Sequence, residues 1–267
     1  MKALASLIGG AAIALAAAGA AQAQETIRIG TEGAYPPYNY TDSDGNLVGF
    51  EIDLGNAMCE RMGVECEWVA QDWDGMIPAL LNERYDLIMA GMSITEERRE
   101  RIAFSNGYVT TPAYFVGAED AEWASAETLE EVQSMLDGKS VGVQTATIHA
   151  NFVDQYLGDA VDVRLYDTQE NMELDLSSGR IDAALADFSA WEPFLESDAG
   201  ADFATFGPRL TGEDYPLFGE GVGVGLRQED TELRERINAA LAELKEDGTM
   251  KALSEEHFGY DITMYED

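Results

Sequence analysis

The sequence predicts an α/β fold of two lobes, in which each lobe is a sheet flanked by helices and the ligand lies in the interlobe cleft. Short apolar strands alternate with helices between residues 25 and 90, and this alternation returns between residues 141 and 186. The segments 84–90 and 180–186 also resemble each other, although two buried strands of this length can be similar by chance. Each segment ends directly before polar residues, and open α/β sheets bind ligands at the carboxyl ends of their strands.

Apolar periodicity and turn-forming residues define the elements of the first half of the chain. Gly63 ends one predicted helix, and Pro78 is tolerated in the first turn of the next. The predicted elements are a strand at 25–31, a hairpin-type turn at 42–46, a helix from Asp53 to Gly63, a strand at 64–70, a helix around 77–81 and a strand at 87–90. Helices that alternate with strands in this way favour parallel strand pairing.

The second half repeats this organisation and adds two segments that cross between the lobes. The predicted elements are a crossing at 108–115, strands at 141–143, 161–166 and 181–186, helices around 152–157 and 172–176, a return at 206–212, and a helix through Leu244 that begins at Asp230 or Thr231. We therefore predict a first part of lobe 1 at 24–112, lobe 2 at 113–207, and a return to lobe 1 with C-terminal helices at 208–267.

Residues 1–23 are predicted to be a secretory signal peptide. Lys2 precedes an apolar stretch at 7–20, and Ala21-Gln22-Ala23 forms a small-x-small cleavage pattern. The alternative is an uncleaved anchor, which is disfavoured because the stretch is shorter than the roughly 20 residues of a spanning helix. We expect an exported, periplasmic chain that is cut near Ala23.

Export also bears on the cysteines and on the charge. In an oxidising compartment Cys59 and Cys66 are expected to form one structural disulfide, whereas in the cytosol they would be two buried thiols.

Acidic residues number 51 against 16 lysines and arginines, which gives a net charge of −35. Such a surface repels phosphate backbones and anionic bilayers and argues against nucleic-acid or membrane-surface partners. A solvated acidic coat suited to salty surroundings explains it better than steering of cationic ligands.

Motifs for catalysis, nucleotides and metals are weak in this sequence. Glycines alternate with other residues at 219–225, which favours a crowded strand over a phosphate-binding turn. The segment 91–95 lacks the final glycine of a nucleophile elbow. His149 and His257 are the two histidines, and no cysteine or histidine cluster has metal-ligand spacing, so we expect neither cofactor nor metal. His257 is expected at the surface, and His149 either lines the cleft or is exposed.

Four short segments place charged or aromatic groups where a small zwitterion can bind. Arg98 offers a planar fork of donors for a carboxylate, with a salt bridge to a nearby acidic side chain as the alternative. Asp187 follows an apolar strand and either accepts from an ammonium group or caps the next helix. Glu32 and Trp73 form an anionic, aromatic sub-site, although Trp73 and Tyr35 would ordinarily be core aromatics. This set favours amino-acid recognition over catalysis.

Many motifs in the same order resemble the periplasmic solute-binding proteins of polar amino-acid ABC transporters, especially the lysine/arginine/ornithine and histidine binders. The resemblance runs from about Thr26 to Tyr260 and is carried by RIGTE (28–32), VGFEIDLGN (48–56), SIT (93–95), Arg98, IAFS (102–105) and GRIDAAL (179–185). It implies a type II periplasmic binding protein fold, whose two α/β lobes are joined by two hinge strands and close on the ligand. It also implies a non-enzymatic monomer that delivers its ligand to a membrane permease, and it matches Cys59 and Cys66 to the family's disulfide loop.

The resemblance assigns the two charged ends of an amino-acid backbone to particular residues. By this resemblance Arg98, with the backbone at Ser93 and Ile148, takes the α-carboxylate. Asp187, with Ser93 and the Gly91 carbonyl, takes the α-ammonium group.

The resemblance also assigns the remainder of the site. Tyr35 and Trp73 enclose the side chain of the ligand, Glu32 meets its distal cation, and His149 lies at the rim. The complete set of expected ligand-binding residues is Glu32, Tyr35, Trp73, Ala90, Gly91, Ser93, Arg98, Gln144, Thr147, Ile148, His149 and Asp187.

This sequence departs from the basic amino-acid binders at several of these positions. Glu32 stands where they usually have aspartate, Trp73 where many have phenylalanine, and Ala90-Gly91 where a serine pair is common. The features that are more similar to octopine and nopaline binders are Tyr35, 73–75, His149 and 206–209. The departures concern the part of the site that meets the side chain of the ligand.

Retention of Asp187 favours a ligand with a primary α-ammonium group. We therefore expect a cationic L-amino acid, of the arginine, lysine or ornithine type, and keep an opine as the alternative. A less favoured alternative is an enzyme similar to the cyclohexadienyl dehydratases, in which Glu32 would serve as the acid. A sensor ectodomain is the third alternative.

Overall fold

The computed structural model describes residues 25–264, so the predicted signal peptide and its cleavage near Ala23 lie outside the described residues. The elements of its first part are β1 (Thr26–Thr31), β2 (Ala34–Tyr35), β3 (Asn39–Thr41), β4 (Leu47–Val48), α1 (Phe50–Met62), β5 (Glu65–Ala70), α2 (Met76–Leu81), β6 (Leu87–Ile88), α3 (Glu96–Arg99) and β7 (Ala103–Phe104). Strands β2 to β4 form a small antiparallel sheet of their own.

The remaining elements follow in two groups. Those of the middle of the chain are β8 (Ala113–Ala118), α4 (Leu129–Met135), β9 (Ser140–Gln144), α5 (Ile148–Tyr156), β10 (Asp162–Tyr166), α6 (Gln169–Ser177), β11 (Ala183–Asp187), α7 (Phe188–Leu195) and β12 (Phe203–Leu210). Those of the last part are β13 (Gly225–Leu226), α8 (Thr231–Glu246) and α9 (Thr249–Phe258).

Two five-stranded sheets organise the molecule, with strand orders β5-β1-β6-β13-β7 and β10-β9-β11-β8-β12. We call the first sheet with its helices the first lobe, and the second sheet with its helices the second lobe. The predicted parallel pairing is confirmed for β1 with β5 and β6, and for β9 with β10 and β11. Each sheet also contains antiparallel pairs that the sequence did not predict: β13 runs antiparallel to β6 and β7, and β8 runs antiparallel to β11 and β12. The antiparallel strands lie where the chain passes between the sheets, so they enter each sheet from its opposite end.

Separate apolar clusters lie on the faces of each sheet and hold the helices in place. In α8, Ile237, Leu241 and Leu244 recur at helical spacing, and all are buried against the first lobe. In the second lobe, Phe152 of α5 packs on Phe115 of β8. Within residues 25–264 no helix combines the length and apolarity needed to cross a bilayer.

Helix α1 begins at Phe50, three residues before the predicted start at Asp53. Glu51 and Ile52 are buried as well, so the first turn faces the interior and lies outside the amphipathic pattern that indicated the helix. The backbone N–H groups of Phe50 and Glu51 donate to the carbonyls of Pro37 and Tyr38, at 3.0 and 2.8 Å. These bonds satisfy donors that a helix start leaves unpaired.

The disulfide between Cys59 and Cys66 confirms the predicted pairing. It joins the last turn of α1 to β5, and the two Cα atoms lie 6.0 Å apart. Gly63 adopts a left-handed conformation (φ 70°) between them, which ends the helix as the sequence predicts.

The segments that join the lobes run side by side. Val109 and Val222 form an antiparallel bridge, and the Tyr108 N–H donates to the Val222 carbonyl at 2.9 Å. Backbones approach closely beside this bridge: a Cβ at Gly219 (φ 77°) would lie 2.2 Å from the Ile94 carbonyl oxygen. The glycines at 219–225 therefore form a crowded extended segment next to the cleft, with regular strand pairing at Gly225–Leu226.

Candidate ligand-binding site

A cavity between the two lobes is lined by the complete set of residues that the sequence singled out. The first lobe contributes Glu32, Tyr35, Trp73, Ala90, Gly91, Ser93 and Arg98. The second lobe contributes Gln144, Thr147, Ile148, His149 and Asp187. The structure brings all of these residues together, and their contacts with a ligand stay a prediction.

Arg98 lies in the one-turn helix α3, whose start is capped by Thr95, because the Thr95 hydroxyl accepts from the Arg98 backbone N–H at 3.2 Å. Its guanidinium Nη1 donates to the Ser93 carbonyl at 2.9 Å, and its Cζ lies 5.3 Å from the centroid of the Trp73 ring. Burial lowers the pKa of Arg98 to about 10. Among residues 25–264 the salt bridges do not include Arg98, so the alternative of a salt bridge to a nearby acid is not observed. Its remaining donors are suited to a ligand carboxylate.

Two aromatic side chains of the first lobe reach across the cleft to the second lobe. The Trp73 indole N–H donates to the Ala146 carbonyl at 3.2 Å. The Tyr35 hydroxyl donates to Asp187 at 2.7 Å, while its ring stacks on Tyr38 with centroids 5.6 Å apart. Both aromatics are buried and also belong to the apolar clusters, so they line the cavity and pack in the core at once.

Asp187 is the last residue of β11 and the residue before α7. It occupies the N-cap position of α7, as the alternative from the sequence proposed, but its side chain makes no capping hydrogen bond. The carboxylate instead accepts from Tyr35 and lies 3.4 Å from Nε2 of His149. His149 is only 5% exposed, which places it in the cleft and not at the surface.

The first turn of α5 forms the second-lobe wall beside His149. The Thr147 hydroxyl accepts from the Ala150 N–H at 3.1 Å and donates to the Gln144 carbonyl at 2.6 Å. The preceding residue, Ala146, has a left-handed backbone (φ 55°) that is unusual for a residue with a side chain. The first backbone N–H groups of a helix have no intrahelical partner and can meet an anion, and Ile148 is the first residue of α5.

Glu32 follows β1 and is only 9% exposed. Gln144 from the second lobe donates to its carboxylate at 2.6 Å. Burial raises the pKa of Glu32 to about 7, the Gln144 hydrogen bond opposes this shift, and the negative charges of Glu51 and Asp72 add to it. The Glu32 carboxylate accepts a hydrogen bond from the Gln144 amide and can also form an ion pair with a cationic group of a ligand.

Beyond Trp73, Arg98 and Ile148 the cavity adjoins a larger open cleft of about 450 Å³. Its other lining residues include charged side chains of both signs, Glu96, Glu97 and Arg101. Neither space has metal-binding character, since no group of histidine, cysteine and carboxylate side chains within residues 25–264 is arranged to hold an ion.

The sequence did not single out Glu51, which lies directly behind the cavity. Its carboxylate accepts from the Gly91 N–H at 2.8 and 2.9 Å. Glu51 is buried, and its hydrogen-bond partners lie far from it along the chain. A residue of this kind has no local sequence motif. Glu51 also precedes the predicted helix start at Asp53, so the amphipathic pattern did not include it.

The model of the bacterial extracellular solute-binding proteins, family 3, matches residues 27–260. The chain belongs to this family. An L-arginine-binding protein of Pseudomonas aeruginosa is 40% identical over 264 residues, which are 98% of each chain. The lysine/arginine/ornithine-binding periplasmic protein of Escherichia coli K12 is 40% identical over 262 residues, 97% of this chain and 96% of the relative.

A solved structure of an ancestral arginine-binding protein bound to arginine has a TM-score of 0.79 and 35% identity, and the match covers 88% of this chain and 99% of that chain. These matches confirm the predicted type II fold and family. The family and the relatives are described as binding proteins, which favours binding over the dehydratase alternative.

Proposed function

We propose that the mature chain is a periplasmic receptor of an ABC transporter, and that it binds a cationic L-amino acid of the arginine, lysine or ornithine type and delivers it to a membrane permease. The names of the two 40% identical relatives support the ligand class. The signal peptide predicted at 1–23 supports export, with cleavage near Ala23.

The charge of the cavity is the observation that carries this proposal. Among the described residues that line this space, two carboxylates, Glu32 and Asp187, face one guanidinium, Arg98, so the acidic groups outnumber the basic one. A cationic amino acid carries one net positive charge and complements this lining. A neutral amino acid leaves Glu32 without an ionic partner in a buried position, which costs binding free energy.

The positions of these groups match the three charges of such a ligand. Arg98 binds the α-carboxylate together with the N-terminus of α5, and Asp187 binds the α-ammonium group. The aliphatic part lies between the rings of Tyr35 and Trp73, and its terminal cation meets Glu32.

Ligand binding and lobe closure are one event in this scheme. Arg98 belongs to the first lobe and Asp187 to the second, so the closed arrangement alone lets both act on one small molecule. Hydrogen bonds from Tyr35, Trp73 and Gln144 already span the two lobes around the cavity. A bound ligand adds further bridges and stabilises the closed arrangement.

Isothermal titration calorimetry on refolded, ligand-stripped protein tests the proposal. The ligands are arginine, lysine, ornithine, histidine, glutamine, glutamate and octopine at one pH and salt concentration. We expect a cationic amino acid to bind best, with a micromolar or lower Kd, which corresponds to about 8 kcal/mol or more. Tighter binding of glutamine or glutamate would contradict the role of Glu32, and tighter binding of octopine would select the opine alternative.

A further inference from the structure

A completely buried carboxylate lies behind the cavity and makes no contact with it. Glu51, the second residue of α1, has no exposed surface. It accepts hydrogen bonds from the Gly91 N–H at 2.8 and 2.9 Å, from the Asn39 side-chain amide at 2.7 Å, and from the Tyr108 hydroxyl. The salt bridges among residues 25–264 do not include Glu51, so its hydrogen bonds alone offset the cost of burial there.

The donors to Glu51 come from separate parts of the binding machinery. Gly91 lines the cavity. Asn39 uses its own carbonyl oxygen to accept from the Gly33 N–H at 2.8 Å, directly next to Glu32. Tyr108 lies at the start of the segment that crosses to the second lobe. One carboxylate therefore fixes the cavity wall, the Glu32 loop and the beginning of the hinge.

Gly91 lies beside Tyr35, which in turn contacts Asp187 of the second lobe. Gly91 has a left-handed backbone (φ 62°), and a Cβ built on it would lie 3.4 Å from the ring of Tyr35. The hydroxyl of that same Tyr35 donates to Asp187. Gly91, Tyr35 and Asp187 thus form one contiguous corner, and the N–H of Gly91 is held from behind by Glu51. A neutral apolar residue in place of Glu51 would leave three buried donors unsatisfied.

We propose that Glu51 is a positioning residue for the α-ammonium group of the ligand: its hydrogen bonds fix the Gly91 backbone beside Tyr35 and Asp187. This inference rests on the proposed function. A purely structural role would stabilise the lobe without distinguishing one end of the ligand from the other.

A thermodynamic cycle between protein and ligand tests the inference. The variant is Glu51→Gln, which keeps the size of the side chain but replaces one of the two oxygens that accept from the Gly91 N–H by an amide nitrogen. The ligands are arginine and 5-guanidinopentanoate, which is arginine without its α-amino group. We expect Glu51→Gln to weaken arginine binding about tenfold and binding of the analogue by no more than about twofold, so that preference for the amino group shrinks.

Glu60→Gln is the control, because it changes an exposed carboxylate of the same helix and is expected to alter neither affinity. If Glu51→Gln does not fold, as judged by circular dichroism, Glu51→Asp keeps the carboxyl group but shortens the arm that reaches Gly91, and the same comparison applies.

The outcomes separate this inference from the proposed function. Equal weakening of both ligands by the Glu51 variant, or no weakening of either, overturns the positioning role and leaves the proposed function standing. If the unaltered protein does not bind arginine, or binds it no better than the analogue, the proposed function fails at the α-ammonium site and the inference falls with it.

Discussion

The two lobes contribute different kinds of wall to the cavity. The first-lobe wall carries both signs of charge, in Arg98 and Glu32, and rests on Glu51, which links segments far apart in sequence. The second-lobe wall consists of the ends of regular elements, with Asp187 at the end of β11 and His149 in the first turn of α5. We infer that the first lobe selects the ligand by the charges of its α-carboxylate and side chain, and that the second lobe binds the α-ammonium group as it closes.

The largest expected effect is that of Arg98→Ala, which removes the only arginine or lysine among the cavity-lining residues of the described range 25–264. Loss of a buried, charge-assisted partner costs about 4 kcal/mol, or roughly a thousandfold in Kd for arginine. Calorimetry checks this. The matched control is Arg99→Ala at the next residue, whose guanidinium pairs with Glu220 at the surface (2.7 Å) and is not expected to affect binding. Retention of affinity within tenfold by Arg98→Ala would remove the charge-selecting role of the first lobe.

Asp187→Asn is expected to have the next largest effect and tests the second-lobe wall. The amide keeps an oxygen for the Tyr35 hydroxyl but loses the charge that binds the α-ammonium group. We expect about a hundredfold weaker arginine binding. Asp198→Asn, at an exposed position of the same lobe, serves as the control. An unchanged Kd would mean that the second lobe closes without recognising the ammonium group.

This contrast also explains what sequence reasoning could predict. Asp187 ends one buried strand, Ser93 follows another, and Thr147 caps a helix, so local patterns point to their positions. Helix α7 (Phe188–Leu195) was not predicted, because it begins directly after β11 without an intervening turn and contains Pro193. The antiparallel strands were missed because their partners are set by the passage of the chain between lobes and not by local periodicity.

Long-range contacts could not be predicted from the sequence for the same reason. The donors to Glu51 lie 12, 40 and 57 residues away along the chain. Hydrogen-bond partners at such separations depend on the completed fold, whereas amphipathic patterns and caps depend on near neighbours. The first-lobe wall therefore depends more on contacts that only the structure reveals. The second-lobe wall depends more on local elements that the sequence predicts.

Acidification is expected to affect the first-lobe wall through Glu32. Burial raises the pKa of Glu32 to about 7, so the carboxylate is protonated below that pH and must lose a proton before it can pair with the cation of the ligand. Arginine affinity is therefore expected to rise with pH through 7 and to fall below it by up to about tenfold per pH unit.

Calorimetry between pH 5.5 and 8.5 in buffers of different ionisation enthalpy measures both the Kd and the protons released. Glu32→Gln is the control, because the amide does not titrate, and its profile should be flat in this range. Glu32→Gln should also reduce the ratio between the Kd for glutamine and the Kd for arginine. A slope that persists in Glu32→Gln would assign the titration to another group and weaken the charge-selection argument.

The smallest effect is expected from Trp73→Phe. This variant separates selection of the ligand by the first lobe from closure of the two lobes. Phenylalanine keeps an aromatic face for Arg98 but lacks the indole N–H that donates to the Ala146 carbonyl of the second lobe. Because that bond joins the lobes, its loss should speed ligand release about three- to tenfold while the association rate stays nearly constant. Stopped-flow fluorescence separates the two rates.

Trp68→Phe is the matched control, since the Trp68 indole donates to Asn56 within the first lobe. A slower association rate in Trp73→Phe would instead place Trp73 in the initial encounter, and the first lobe would then depend on this ring as well as on charge for selection.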